Sequence, residues 1–371
     1  MAEQLIPPER LAESLKNNIR ALWCIFPLFL SAIITTLCSP AHAQYVQIQG
    51  AQFVKNGVPV RLYGGTLYLT YDGTRYLTGG AFASKSEVAE VDTYLDTWTA
   101  NAQNAHMNCL RVTDWIPDDS AWNNPVIYQQ LDYLLKDAKK RHIYLVLDLS
   151  AYRNWLLHKK LDPYDPKNWT DFIRFIGNHF KHSHTFVMYG IAGEVPAPNY
   201  SKTNPTADTL LNFFREVSIE LYHYDPNHLI ASGGFIFMDD PHCGIPWRRI
   251  FSLPHINIAS IHAYAGKPDG VATAAYKYVG GWANRHHIPF MVEEWGYKQA
   301  LGDAVRARLY QDNYNIGVRY KAVGMLFWNW GGETMQNDGS KTAMDVNPST
   351  PLTCAVVSRN CKERTEQASK K

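Results

Sequence analysis

The stretch IPFMVEEWGY, from Ile288 to Tyr297, decides the fold. Ile288 to Val292 is a short apolar run closed by two acids, an aromatic and Gly296, the pattern of a buried strand that carries a carboxylate to its exit. Acids are seldom fully buried without a partner, so an acid at the end of an apolar strand is either paired or put to chemical use. Glu294 stands at that position, and the segment alone leaves both readings open. Because side chains alternate along an extended chain, Glu293 is expected to face the opposite way and to be structural.

The same unit, an apolar run followed by polar and aromatic residues, recurs outward from this stretch. Phe53 to Thr66 reads as a hairpin around Asn56-Gly57 and then a strand ending in glycines, with an aromatic, Gly-rich loop from Tyr68 to Phe82. Met107 to Trp115, Ile143 to Ser150, Thr185 to Ile191, Leu229 to Phe235, Ile256 to His262, Pro289 to Val292 and Val323 to Trp328 read as further strands. Helical spacing fills the intervals, as at Pro125 to Arg141, where Ile127, Leu131, Leu134, Leu135 and Ala138 recur at helical period. This alternation predicts an α/β fold, a (β/α)8 TIM barrel forming a single domain over residues 44–345. An open doubly wound sheet is the alternative. Polar and aromatic residues gather after the strands, and no nucleotide fingerprint follows the first one, so the barrel is favoured.

The two ends read differently. Lys16 and Arg20 precede an apolar run from Ala21 to Cys38, followed by Ser39, Pro40 and Ala41-His42-Ala43. Residues 1–43 therefore read as a secretory signal cleaved before Gln44, which makes the body secreted or periplasmic; an uncleaved signal anchor is the alternative. Disulfides persist outside the cytoplasm, so Cys354 and Cys361 are expected to form a local bridge, while Cys109 looks like a buried strand residue. Residues 346–371 read as a polar C-terminal tail with little periodicity, frayed beyond Cys361.

Composition narrows the function. A formal net charge of +2 argues against a nucleic-acid partner, and no phosphate-binding glycine loop or Cys-x-x-Cys pair occurs. The 14 His are scattered without a ligand set, so no metal and no cofactor is expected. Eleven Trp and 22 Tyr supply the flat amphipathic rings that stack on sugar faces, although most such rings are core in any protein.

In a barrel, strand ends converge on one mouth, so Glu194, after the fourth strand in YGIAGEVP, can face Glu294, after the seventh. Two carboxylates ~5 Å apart are what retaining glycoside hydrolysis requires, one protonating the leaving oxygen while the other attacks the anomeric carbon. Arg111, near the end of the second strand, could keep a carboxylate ionised, or be the buried partner of Asp114 or Asp148. His262 and Tyr264 are candidates for orienting substrate and binding the nucleophile; Trp328 and Trp330 could floor a sugar subsite or simply pack the barrel end.

LRVTDW, YGIAGEVP, SIHAY, FMVEEWG and LFWNWG, in that order and at those intervals, resemble the barrel strands of family five glycoside hydrolases. The resemblance runs from about Phe53 to Trp330 and is greatest to the endo-β-1,4-mannanase branch. It implies Glu194 as acid/base, Glu294 as nucleophile, a polysaccharide or oligosaccharide substrate such as mannan or glucomannan, and substrate contacts from Arg111, Trp115, His262, Tyr264 and Trp328. No membrane partner is implied unless the N-terminal segment is retained. One position departs from the family: Gly193 stands where an Asn that binds the sugar 2-hydroxyl is usual. An endoglucanase, an exo-glycosidase and a catalytically weakened carbohydrate-binding barrel are therefore kept as alternatives.

Overall fold

The computed structural model describes residues 44–71, 75–76, 85–267, 269–331 and 344–369. Its central sheet has eight strands: β1 Leu62–Tyr68, β2 Cys109–Thr113, β3 Tyr144–Asp148, β4 Phe186–Gly190, β5 Leu229–Ala231, β6 Ala259–His262, β7 Phe290–Glu294 and β8 Gly324–Phe327. They run in the order β5-β4-β3-β2-β1-β8-β7-β6, every neighbour parallel. The remaining gap, between β5 and β6, is bridged by Phe235, whose N–H donates to Ser260 O (3.3 Å) and whose O accepts from His262 N–H (2.9 Å). The strand expected over Leu229 to Phe235 is thus interrupted, because Gly233 and Gly234 adopt φ of +100° and +89° and leave the extended region.

Both faces of each strand are covered, which is why the strands read as continuous apolar runs. Leu62, Cys109, Val146, Met188, Ala231, Met291 and Leu326 share one core inside the barrel. Phe53 joins it from the antiparallel meander Gln47–Gln49, Gln52–Lys55 and Val58–Val60, which precedes β1 and plugs that end. The alternate residues, among them Leu110, Val112, Leu145, Leu147, Tyr189, Val292 and Phe327, pack outward with helices α1 Lys85–Asn104, α2 Pro125–Lys140, α3 Ser150–His158, α4 Thr170–Phe180, α5 Ala207–Tyr224 and α6 Asp303–Arg319. At α2 the start is written locally: Asn124 Oδ1 accepts from Val126 N–H (3.1 Å), and Pro125 fills the first turn, where its missing N–H costs nothing. Among the described residues, no helix is long and apolar enough to cross a membrane. Residues 1–43 and most of the loop expected from Tyr68 to Phe82 lie outside the described residues.

The C-terminal region corrects two expectations. Instead of an irregular tail, Pro351–Ser369 forms a helix, α7, whose Val357 and Cys361 are buried in the outer core. Cys354 and Cys361 are both free, Cys361 buried and Cys354 donating its thiol to Asn347 O. Seven helical residues separate their Cα atoms by about 10 Å along the axis, beyond the reach of a disulfide.

Asp303, at the head of α6, ties this helix down. Its carboxylate accepts from Leu352 N–H (2.8 Å), Thr353 N–H (3.0 Å) and Thr353 Oγ1 (2.6 Å), supplying the acceptors that the first turn of α7 lacks. Burial pushes this carboxyl up, but the three donors outweigh it and hold Asp303 below the ordinary carboxylate range. The stabilisation is accordingly present above the unfolded-state pKa and fades as the pH falls through the depressed folded value. Asp303→Ala is expected to cost about 1 kcal/mol at neutral pH, with a smaller cost below about pH 3; urea midpoints at the two pH values measure it.

Candidate active site

The polar layer of the barrel lies toward the C-terminal ends of its strands, as inward positions change from apolar to charged. In β2 the inward residues run Cys109, Arg111, Thr113, and in β3 they end on Asp148. Arg111 is 1% exposed. Its Nη2 donates to Asp148 Oδ2 (2.8 Å) and its Nη1 to Glu294 Oε1 (2.6 Å), so one guanidinium joins the second, third and seventh strands. Asp148 is fixed in turn by Thr113 Oγ1 (2.6 Å) and by Ser150 N–H (3.0 Å). Burial alone would raise the Asp148 pKa, but the Arg111 charge and these hydrogen bonds hold it below the usual range. Arg111 therefore serves both readings proposed for it, as partner of Asp148 and as the cation on Glu294.

Glu294 also accepts from Tyr264 OH (3.1 Å) and lies 3.4 Å from His262 Nδ1. The same imidazole nitrogen is 3.0 Å from Glu194 Oε1, so His262 stands between the two glutamates. Carboxylate oxygens of Glu194 and Glu294 come within 4.8 Å of each other and of His262. The three are close enough to hold an ion, and the imidazole lies near both acids. The two acids differ in exposure, 42% for the Glu194 side chain against 10% for Glu294.

A general acid ordinarily has a raised pKa, and Glu194 in the resting site does not. Burial pushes it up, but the His262 hydrogen bond, the His262 charge and then Arg111 and Arg153 hold it below the usual range. His262 moves the other way: burial lowers it, and Glu294 together with Glu194 more than compensates, so it is raised above an ordinary imidazole. In the resting site the proton therefore belongs to the Glu194–His262 pair, toward the imidazole. Burial, then the Glu294 charge, pushes the Tyr264 phenol well above its normal value, so it stays a donor.

An open cavity of about 500 Å³ exposes these groups, lined by Arg111, Asp148, Glu194, His262, Tyr264 and Glu294, with Trp328 at its wall. Six of the seven residues singled out in the sequence thus meet in one place. The exception is Trp115, which is fully buried, donates Nε1–H to Asp148 O (2.7 Å) and packs between Tyr128 and Phe172. It supports the wall from behind and touches no substrate space. Trp330 likewise is packing, its Nε1–H on Trp98 O (3.1 Å). Arg153, Asn154 and Lys298 also line the cavity. Arg153 and Asn154 come from α3, the short helix directly after β3, and Lys298 from the loop after β7, none of them at a strand end.

Glu293 requires a correction too. It is fully buried inside the barrel, its Oε2 3.7 Å from Arg111 Nε, rather than turned away. Ile261 pairs with Val292 but His262 pairs with Glu294, so β7 carries one extra residue and both acids reach the interior.

Gly193 is explained by close backbone approach. A Cβ there would lie 2.5 Å from Gly233 O and 3.2 Å from His262 Cε1. Its N–H donates to Ser150 Oγ (2.7 Å), and Arg153 Nη1 donates to its carbonyl. The next residue, Glu194, has φ of +50°, a left-handed conformation costly for a side chain and typical of strained functional positions. Its N–H donates to Gly234 O (3.0 Å), which holds the turn.

The family model described as Cellulase (glycosyl hydrolase family 5) matches residues 81–334. Mannan endo-1,4-beta-mannosidase 8 of Oryza sativa subsp. japonica is 21% identical, aligned over 82% of this chain and 96% of its own length. Among solved structures, the endo-1,4-beta-mannanase of Rhizomucor miehei superposes with a TM-score of 0.68 at 16% identity, covering 87% of this chain and 99% of that one. An exo-beta-1,4-mannosidase of Opitutaceae bacterium strain TAV5 superposes with a TM-score of 0.66 at 13% identity, over 87% and 63% of the two chains.

The crowding at Gly193 gives a test. Gly193→Asn is expected to lower both stability, by about 1–3 kcal/mol, and activity, because its Cβ must displace the Gly233 carbonyl and the His262 ring. Denaturant midpoints and initial rates measured together check it; a gain in rate would contradict the packing argument.

Proposed function

We propose, from the premise that the chain belongs to the cellulase family, glycosyl hydrolase family 5, that it cuts β-1,4-linked mannan or glucomannan with Glu294 as nucleophile and Glu194 as acid/base. The chain is a retaining glycoside hydrolase of that family acting on β-1,4-glycans; the substrate and the roles of the residues are the proposal. The observation that carries the roles is the approach of the two carboxylates to within 4.8 Å, the spacing of direct attack rather than of attack through an intervening water.

The first step joins Glu294 to the anomeric carbon as the glycosidic bond breaks, and Glu194 gives a proton to the departing oxygen. Arg111 and Tyr264 both bind Glu294, which keeps the attacking oxygens aimed. A sugar in the cavity excludes water and deepens burial, the influence that already raises Glu194, so the proton passes from His262 to Glu194 along their 3.0 Å contact. In the second step Glu194 takes a proton from water, which attacks the glycosyl ester and releases Glu294 with retained configuration. Trp328, at the cavity wall, offers an indole face to the sugar. Mannan is favoured over glucan because the plant relative and the fungal structure above are both named as mannanases. Cleavage within the polymer suits an open cavity, and export through residues 1–43 would bring the enzyme to a polymer too large to enter a cell.

Hydrolysis of β-mannan, glucomannan, carboxymethylcellulose and xylan tests the substrate, with mannan or glucomannan expected to be cut and their product lengths reporting internal or terminal attack. Glu294→Ala and Glu194→Ala should each lower turnover by several orders of magnitude. Azide should rescue Glu194→Ala with retained configuration and Glu294→Ala with inverted configuration; the reverse pattern would exchange the roles.

The Glu194–His262 pair also sets a pH dependence. Because the raised imidazole keeps its proton above the ordinary histidine range, activity should persist above about pH 6.5 and fall as that proton is lost. In His262→Asn the proton must reside on Glu194 alone, and the alkaline limb of kcat/KM should move to lower pH by about one unit or more. An unmoved limb would remove His262 from the proton path.

A further inference from the structure

Beneath the catalytic pair lies a third glutamate that the reaction above does not use. Glu293 is 0% exposed, and its carboxyl occupies a recess that the fold leaves for it. Across the barrel, β4 ends on Gly190, where a Cβ would come within 3.3 Å of Glu293 Oε2. Alternation from the inward Met291 places this side chain inside the barrel, and the bulge in β7 brings Glu294 inward just above it. No sequence pattern of the apolar strand requires an acid here, since the next inward residue down the same strand is Met291.

The charges around it do not balance if Glu293 is ionised. From β2 comes Arg111, its Nε 3.7 Å from Glu293 Oε2. From β3 comes Asp148, from β6 Ser260 and His262, and from β7 Glu294. Arg111 already donates to two carboxylates, Asp148 and Glu294, at 2.8 and 2.6 Å. Among the buried groups, Arg111 and a protonated His262 already face Asp148 and Glu294, while the more exposed Glu194 also has Arg153 near it, so an ionised Glu293 would be a third buried anion with no cation of its own. At 3.7 Å, Arg111 Nε stands off rather than donating to it.

We propose that Glu293 is a positioning residue of the active site, an uncharged carboxylic acid that supports Arg111 from below and leaves the guanidinium to Asp148 and Glu294. As a carboxylate it would compete for Arg111 and pull it from the nucleophile; as an acid it fills the recess beside Gly190 and approaches Ser260 without that competition. Desolvation raises its pKa, and the Arg111 and His262 charges together with a Ser260 hydrogen bond only partly offset this, in the direction the geometry requires. This rests on the assignment of Glu294 as nucleophile for its effect on rate, but not for the protonation state itself.

Infrared difference spectroscopy near neutral pH reads that state directly. A protonated-carboxyl C=O band is expected in wild type and in Glu194→Gln, and its absence is expected in Glu293→Gln. A band that is missing from wild type, or that vanishes in Glu194→Gln and persists in Glu293→Gln, overturns the proposal whatever the enzyme's substrate proves to be. The kinetic arm compares a shape-preserving neutral variant with one that removes the polar group. Glu293→Gln should lose less than about tenfold in kcat, while Glu293→Leu should lose on the order of a hundredfold, with KM nearly constant in both, because the damage is to aim rather than to binding. Equal losses in the two would mean that the charge is required and would also overturn it. Should Glu293→Leu fail to fold, the infrared comparison and the Gln variant stand alone.

Discussion

A single buried cation holds the site together. Removing a guanidinium from water costs several kcal/mol, and the cost is offset only when carboxylates meet it with good geometry. Arg111 has this from two strands, and each carboxylate has its own further supports: Thr113 and Ser150 on Asp148, Tyr264 on Glu294. The dependence is mutual. Loss of any one partner leaves an unpaired charge in a packed interior, a defect that typically costs about 3–5 kcal/mol. The orientation of Glu294 and the barrel's upper packing are therefore one problem, and Trp115 belongs to it, since its indole fixes the Asp148 backbone from outside the barrel.

Much of this was legible in the sequence because a parallel barrel imposes a strong pattern. Strands covered on both faces must be apolar nearly throughout, so charged residues at their ends stand out: Arg111, Glu194, His262 and Glu294 were visible for that reason. What escaped depends on geometry that periodicity cannot carry. That Glu294 faces inward together with Glu293 follows from one extra residue in the pairing of β6 with β7, which alternation along a single strand does not predict. Trp115 sits one residue past a positive-φ Asp114, so the direction of its ring is set by a backbone turn and not by the strand. The C-terminal helix has a weak apolar pattern, with many polar residues among its buried ones; its docking depends on the Asp303 cap, a contact spanning about fifty residues of chain.

The glycine that looked like a deficiency is a consequence of how two strand exits meet. Gly193 after β4 and Gly233 after β5 approach so closely that neither tolerates a side chain, and a Cβ on Gly234 would fall 2.0 Å from the His262 ring. The same contact supplies the carbonyl that holds Glu194 in its left-handed turn. A side chain has been given up at one position, and Glu194 and His262 are held by backbone instead. Arg153, anchored on the Gly193 carbonyl, brings a cation to the space so vacated.

The bulge in β7 also constrains how this chain can change length. A strand advances about 3.3 Å per residue, and in a regular ladder only alternate residues look inward. Deleting Glu293 would restore simple pairing with β6, and the surviving glutamate, still opposite His262, would take over the regular inward position, leaving one interior carboxyl where there are now two. Inserting a residue would lift or turn it away. The number of inward carboxyls at this strand end is thus set by the count of residues in one short strand, which makes a change of length there different in kind from one in a loop.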